Sequence, residues 1–137
     1  MSTVFDYRSL KRYKYQLMAP FSAQIPEMLA RQMATVESND NWIRLVNFQT
    51  LIIKQGYCWD GPSGPTIDTE NFMRGSLVHD ALYQLMREEK LARAYQKAAD
   101  DCLRRMCIED GMWRIRAWWV WKAVRDYGHK STYPRKD

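Results

Sequence analysis

The sequence predicts an α+β fold: a β-rich N-terminal half with an ordered Gly/Pro loop, then three C-terminal helices packed on it. Three observations predict it. Before residue 56, β-branched and aromatic residues cluster between turn signals. The run GYCWDGPSGPTID, residues 56–68, carries Gly56, Gly61, Pro62, Gly64 and Pro65, which interrupt regular structure. After residue 70, apolar residues recur at helical spacing. A chain of 137 residues fits a single domain, 1–137, long enough to bury a core.

In chain order, the first strands are expected at Tyr13–Leu17 and over the longer stretch Trp42–Ile53, where Ile43, Leu45, Val46, Phe48, Leu51 and Ile52 supply the bulk. Ser38-Asn39-Asp40-Asn41 reads as the turn before it. Residues 26–36 fit either a short helix carrying Met28, Leu29 and Met33 or a strand pair. The 56–68 loop needs a packing or functional reason to be ordered, and Trp59, Asp60, Ser63 and Pro65 are the residues in it that could supply one. Helices are expected near 71–87, 89–109 and 112–127, with Gly111 and Gly128 as left-handed C-terminal caps. The polar tail from His129 is expected to fray.

The first helix has an apolar stripe of Leu77, Val78, Ala81, Leu82 and Leu85. His79 lies about 100° from its centre, one turn before Tyr83, so the two polar tips can meet. The second helix buries Leu91, Tyr95, Ala98, Ala99, Cys102 and Met106 on an idealised wheel, which leaves Asp101 on the surface and Asp100 toward solvent unless packing against the loop covers it. On the third, Ile115, Trp119, Val120, Ala123, Val124 and Tyr127 form the expected core face. Arg116 falls within that stripe and requires a carboxylate or carbonyl partner, since a lone buried charge is expensive. Trp118 and Trp121 fall instead among Arg114, Lys122 and Arg125.

Composition narrows the function. The net charge of +5 and a pI near 9.2 suit an anionic partner without requiring one. Cys58, Cys102 and Cys107 are odd in number and lack Cys-x-x-Cys spacing, which argues against a disulfide framework or a thiolate zinc site. The N-terminus lacks the layout of a signal peptide, no apolar run is long enough to span a membrane, and no P-loop or dinucleotide fingerprint occurs. A soluble intracellular protein is expected. Chemistry concentrates in His79-Asp80-Ala81-Leu82-Tyr83, with Asp60 and Ser63 upstream and Asp100 downstream. An imidazole among carboxylates can activate water or hold a metal; the same residues can equally form a hydrogen-bonded brace for the loop. A covalent role for Ser63 lacks the Gly-x-Ser-x-Gly elbow. Residues 112–136 carry seven Lys/Arg against one acid, so Arg114, Trp118, Trp121, Lys122 and Arg125 form the expected contact for a membrane surface, nucleic acid or partner.

Gly56-Tyr57, Asp60-Gly61-Pro62-Ser63-Gly64-Pro65, His79-Asp80-Ala81-Leu82-Tyr83, Ala99-Asp100 and Ala123-Val124-Arg125-Asp126-Tyr127-Gly128 occur in one order over about residues 42–128. This set resembles an uncharacterised family found mainly in tailed bacteriophages and prophages, a domain of unknown function. The resemblance implies a phage-encoded protein, at work in the cytoplasm of the bacterial host or in the virion, with host or phage proteins as partners. A more distant similarity is to secreted calcium-dependent phospholipases of the A-two type. It implies His79 as general base, Asp100 as its orienter and Tyr83 steadying the carboxylates. Calcium or another divalent cation would then be held by Asp80, with Asp60 or loop carbonyls adding oxygen ligands. The first expectation is a non-catalytic interaction protein, a virion component or an inhibitor of a host factor, braced by the His-Asp network. The alternatives are a metal-assisted hydrolase and a protein that binds an anionic surface.

Overall fold

The β-rich half forms two antiparallel sheets. The structure, a computed structural model, describes residues 5–9, 15–28, 33–60 and 70–134. Strands β1 (Tyr7–Ser9), β2 (Tyr15–Leu17) and β7 (Cys58–Trp59) make one sheet in the order β1-β2-β7. Strands β3 (Phe21–Gln24), β4 (Thr35–Glu37), β5 (Ile43–Val46) and β6 (Thr50–Ile53) make the other in the order β3-β6-β5-β4. Helices α1 (Glu70–Arg87), α2 (Gln96–Glu109) and α3 (Arg114–Tyr127) follow, completing the expected α+β order. Of the strand expected at Tyr13–Leu17, residues 15–17 are present and Tyr13 lies outside the described residues, as do Ser63 and Pro65 of the loop. In the ambiguous 26–36 segment, the chain turns at Pro26-Glu27 and resumes as β4, with residues 29–32 undescribed.

The single long strand expected over Trp42–Ile53 is instead the hairpin β5–β6, paired Val46 to Thr50 and Ile43 to Ile53. Asn47 and Phe48 reverse the chain with φ of 53° and 55°. Asn tolerates this region. Phe does so at a cost of about 1–2 kcal/mol, offset here by burying its ring edge-on against Tyr95, centroids 5.5 Å apart. With no glycine at the bend, composition alone hides the turn. The Ser38–Asn41 turn is present: Ser38 exchanges backbone and side-chain hydrogen bonds with Ile43, and its hydroxyl donates to Asp40.

Helix α1 is the centre of the molecule, with twelve of its eighteen residues buried, including the whole expected stripe. One core joins it to both sheets and to Leu91, Ala99, Cys102 and Met106. A second, smaller cluster gathers Phe72, Leu103, Cys107, Met112, Ala117 and Val120 where α1, α2 and α3 meet. Helix α2 is therefore covered on two faces. Gly111 caps it as expected, at φ 101°, with its own N–H on the Ile108 carbonyl and the Met112 N–H on Cys107.

Three expectations about the C-terminal part are corrected. The core face of α3 is rotated: Ala117 and Val120 are buried and Val124 is half-buried, while Ile115, Trp119 and Tyr127 are exposed. Ala123, also expected in the core face, is exposed as well, and the buried Ala117 and Val120 join Phe72, Leu103, Cys107 and Met112. Gly128 has φ −77° and is no left-handed cap. The tail does not fray at His129: residues His129–Thr132 form a 3-10 turn against α1, with Thr132 fully buried and its carbonyl accepting from Arg93.

Candidate functional site

His79 and Tyr83 project from adjacent turns of α1 toward Asp100 on α2, placed there by the i, i+4 spacing. Both end on the same oxygen. His79 Nε2 lies 2.8 Å and the Tyr83 hydroxyl 2.6 Å from Asp100 Oδ1. Arg125, from α3, donates to Oδ2 at 2.9 Å. Asp100 is fully buried, so its expected solvent-facing position is corrected: the wheel of α2 omits the cover that α1 and α3 provide. A buried carboxylate survives because three donors, one of them a guanidinium, replace its water.

With Arg125 on the other oxygen, the carboxylate is the acceptor in all three bonds and His79 holds its proton on Nε2. In a neutral ring this leaves Nδ1 with the lone pair. Burial, then the hydrogen bond to Asp100, pushes the Tyr83 hydroxyl well above its ordinary pKa, so Tyr83 is a donor and not a base. The rings of His79 and Tyr83 pack with centroids 4.0 Å apart, and the His79 side chain is 10% exposed. The arrangement can orient an imidazole, as an Asp–His dyad does. It also ties three helices to one carboxylate.

Asp80 points elsewhere. It lines a separate cleft of about 450 Å³ with Asp60, Asp40, Glu88, Trp42 and Tyr57. There the Tyr57 hydroxyl donates to Gln84, which donates in turn to Asp40 and Glu88. The residues expected to act together thus fall into two groups: His79, Tyr83 and Asp100 in the helical interior, and Asp60 with Asp80 on the cleft. Among the described residues, no three His, Cys, Asp or Glu side chains gather as a metal site. Trp59 is part of β7 and buried; its indole N–H donates to Ser76 on α1 at 3.1 Å, anchoring the point where the loop begins.

On α3, the five residues expected to contact a partner are split. Arg125 turns inward to Asp100, and the Trp121 indole N–H donates to Asp101 at 2.7 Å. Lys122 bridges to Asp126 at 2.9 Å along the same helix. Arg114 and Trp118 remain on the exposed side, joined by Ile115 and Trp119. Sequence spacing does not reveal Arg125 as the third donor to Asp100. The signal that could have found it is the interval from Arg125 to Gly128, one helical turn. That turn faces the site, because Gly128 lies against the Tyr83 hydroxyl.

No helix among the described residues is long and apolar enough to cross a membrane. No curated protein and no solved structure matches the chain. Residues 34–124 match the family described as Protein of unknown function (DUF1353), a span that holds His79, Tyr83 and Asp100 and ends one residue before Arg125. The chain belongs to that family.

Proposed function

We propose that this protein acts by docking rather than by catalysis. The Asp100 network braces the helices, and α3 presents an aromatic face to a partner. The observation that carries this reading is the contrast between the two sides of α3. One side is held by Ala117, Val120 and the Arg125–Asp100 pair, while on the other Ile115 is 76% exposed and Trp119 62%. Apolar side chains in that number on one helix face mark a contact surface. The phage setting implied by the motif resemblance makes the partner a virion protein or a host factor, met in the cytoplasm of the bacterial host. The anionic-surface alternative loses ground because Arg125 and Lys122 already have carboxylate partners within the chain. Immobilised wild type and the Ile115→Glu/Trp119→Glu variant, compared for proteins captured from bacterial lysate, test the reading. Capture lost in the variant supports it; identical capture contradicts it.

One observation favours a second reading, a metal-assisted hydrolase. The 2.8 Å contact from Asp100 to His79 is the one an orienting carboxylate makes to a general base. A calcium or other divalent cation at Asp80 and Asp60 would lie in their separate cleft and not beside His79, so this reading requires metal and base to act from two places. Calorimetric titration of Ca²⁺, Mg²⁺ and Zn²⁺, with an ester and phosphoester screen of wild type and His79→Gln, decides this. Metal binding with hydrolysis lost in the variant favours the enzyme; neither in the wild type removes it.

A further inference from the structure

Helices α2 and α3 leave between them a groove of about 540 Å³. Its carboxylates already have donors. Asp101 accepts from Lys97 and from the Trp121 indole N–H, both at 2.7 Å, and Glu109 accepts from Arg74 and Arg105, both at 2.9 Å. Two cations on the groove differ. Among the described residues, no carboxylate lies within ion-pair distance of Arg104, on α2, or of Arg114, at the start of α3. The Arg104 guanidinium instead lies over the Trp121 ring, 5.7 Å from its centroid, and the bond to Asp101 fixes that indole in turn. Arg104 is therefore a positioned donor fork with its hydrogen-bonding capacity unspent. The lining holds four cations, Lys97, Arg104, Arg105 and Arg114, against the two carboxylates, and the surplus resides on the two unpaired guanidiniums.

We propose that this groove binds a small phosphomonoester, its phosphoryl group between Arg104 and Arg114 and its organic part along Ile108 and Trp121. Charge selects the phosphoryl group. A phosphomonoester carries about −1.5 to −2 near pH 7, which matches two guanidiniums, whereas a carboxylate matches one. Guanidinium forks also fit its oxygens with charge-assisted hydrogen bonds. The positive end of the α3 dipole lies beside Arg114, and the first turn of α3 holds neither an acid nor a side-chain cap to neutralise it. Volume calls for the organic part: the groove falls among small-molecule sites of roughly 300–1,000 Å³, and the half-buried Ile108 gives it an apolar lining. A nucleic-acid backbone would need a row of free cations. The next ones along α3 do not supply it, since Lys122 is held by Asp126 and Arg125 by Asp100. The site is independent of the docking reading, because it uses neither Ile115 nor Trp119.

Calorimetric titration of the full chain with inorganic phosphate, phenyl phosphate and phenol, with the Trp121 indole N–H signal followed by NMR, tests the proposal. Phenyl phosphate should bind one per chain, more tightly than inorganic phosphate, and shift the Trp121 signal, while phenol does neither. Arg104→Gln and Arg114→Gln should each weaken binding about tenfold or more, as the loss of a charge-assisted hydrogen bond does. Their thermal midpoints should stay at the wild-type value, because neither arginine holds an ion pair within the described chain. Lys97→Gln should weaken binding less, since Lys97 is already paired with Asp101, and Trp119→Ala should bind as wild type does. Phosphatidic acid vesicles separate two sources of the same chemistry. Vesicle binding that phenyl phosphate displaces and both arginine variants lose supports a lipid headgroup; phenyl phosphate binding without vesicle binding supports a soluble ligand. No phenyl phosphate binding at millimolar concentration overturns the proposal, as does binding unchanged in both arginine variants. A 5′-hydroxyl oligonucleotide that binds more tightly than phenyl phosphate overturns it in favour of a nucleic-acid backbone.

Discussion

Gly128 lies directly against the Tyr83 hydroxyl: a Cβ at position 128 would sit 2.6 Å from that oxygen and 2.5 Å from the Val124 carbonyl. The end of α3 can therefore close over α1 only where residue 128 has no side chain. Gly128→Ala should cost about 1–3 kcal/mol by overpacking. Tyr83→Phe in the same background should recover part of that loss, a coupling visible as non-additivity in a double-mutant cycle of urea unfolding. Additive effects would separate the two residues.

Asp100 should be among the most sensitive positions in the chain. Asp100→Ala strands the Tyr83 hydroxyl and His79 Nε2 and leaves the Arg125 guanidinium, a third of it exposed, to water; losing the buried acceptor costs about 1–3 kcal/mol. Asp100→Asn retains shape and one acceptor and should cost less. Chemical denaturation of both variants checks the order; an Asp100→Ala protein as stable as wild type would show that the carboxylate braces nothing.

The thiols should separate by burial. Desolvation, with the nearby Glu27 carboxylate, pushes Cys102 up to about 12, and desolvation, with Asp110, does the same for Cys107. Neither presents thiolate at pH 8, whereas Cys58 is half-buried at the cleft. A disulfide reagent should titrate one thiol in the native protein and three in denaturant. Rapid modification of Cys102 or Cys107 under native conditions would contradict the packing between α1 and α2.

Acid should weaken the link between α1 and the end of α2. Burial raises the Glu109 pKa, but hydrogen bonds from Arg74 and Arg105 outweigh it and hold the carboxyl below its ordinary value. A carboxylate whose folded pKa is lowered stabilises the protein above its unfolded pKa, and that contribution is lost as pH falls through the folded one. The urea midpoint should drop as pH falls through the carboxylate range, and Glu109→Gln should flatten part of that dependence. An unchanged slope in the variant would remove Glu109 from the acid response.

Much of this arrangement is legible in the sequence, and the gaps have a common cause. The stripe of α1 and the Gly111 cap follow from periodicity and backbone chemistry, because each is decided within one helix. The meeting of His79 and Tyr83 follows from the same i, i+4 geometry. Asp100 and the faces of α3 do not, since they depend on which neighbours arrive. A wheel for α2 cannot know that α1 and α3 both cover it. A wheel for α3 weighted by apolar bulk selects Trp119 and Ile115 over Ala117, which the α1–α2 cluster buries. The motif resemblance points closer to the truth. Its His-Asp-x-Leu-Tyr, Ala-Asp and Arg-x-x-Gly pieces supply His79, Tyr83, Asp100, Arg125 and Gly128, which converge at one place. Its Asp60 and Asp80 belong to a different cleft, which adjacency in sequence to His79 conceals.

Hydrogen exchange along the chain in wild type and Asp100→Asn tests most directly whether Asp100 holds α3 in place. Loss of amide protection concentrated in α3 and the His129–Thr132 turn, with the β5–β6 hairpin unchanged, is the predicted result. Protection of α3 equal to that of wild type, or a loss spread evenly over the molecule, would contradict it.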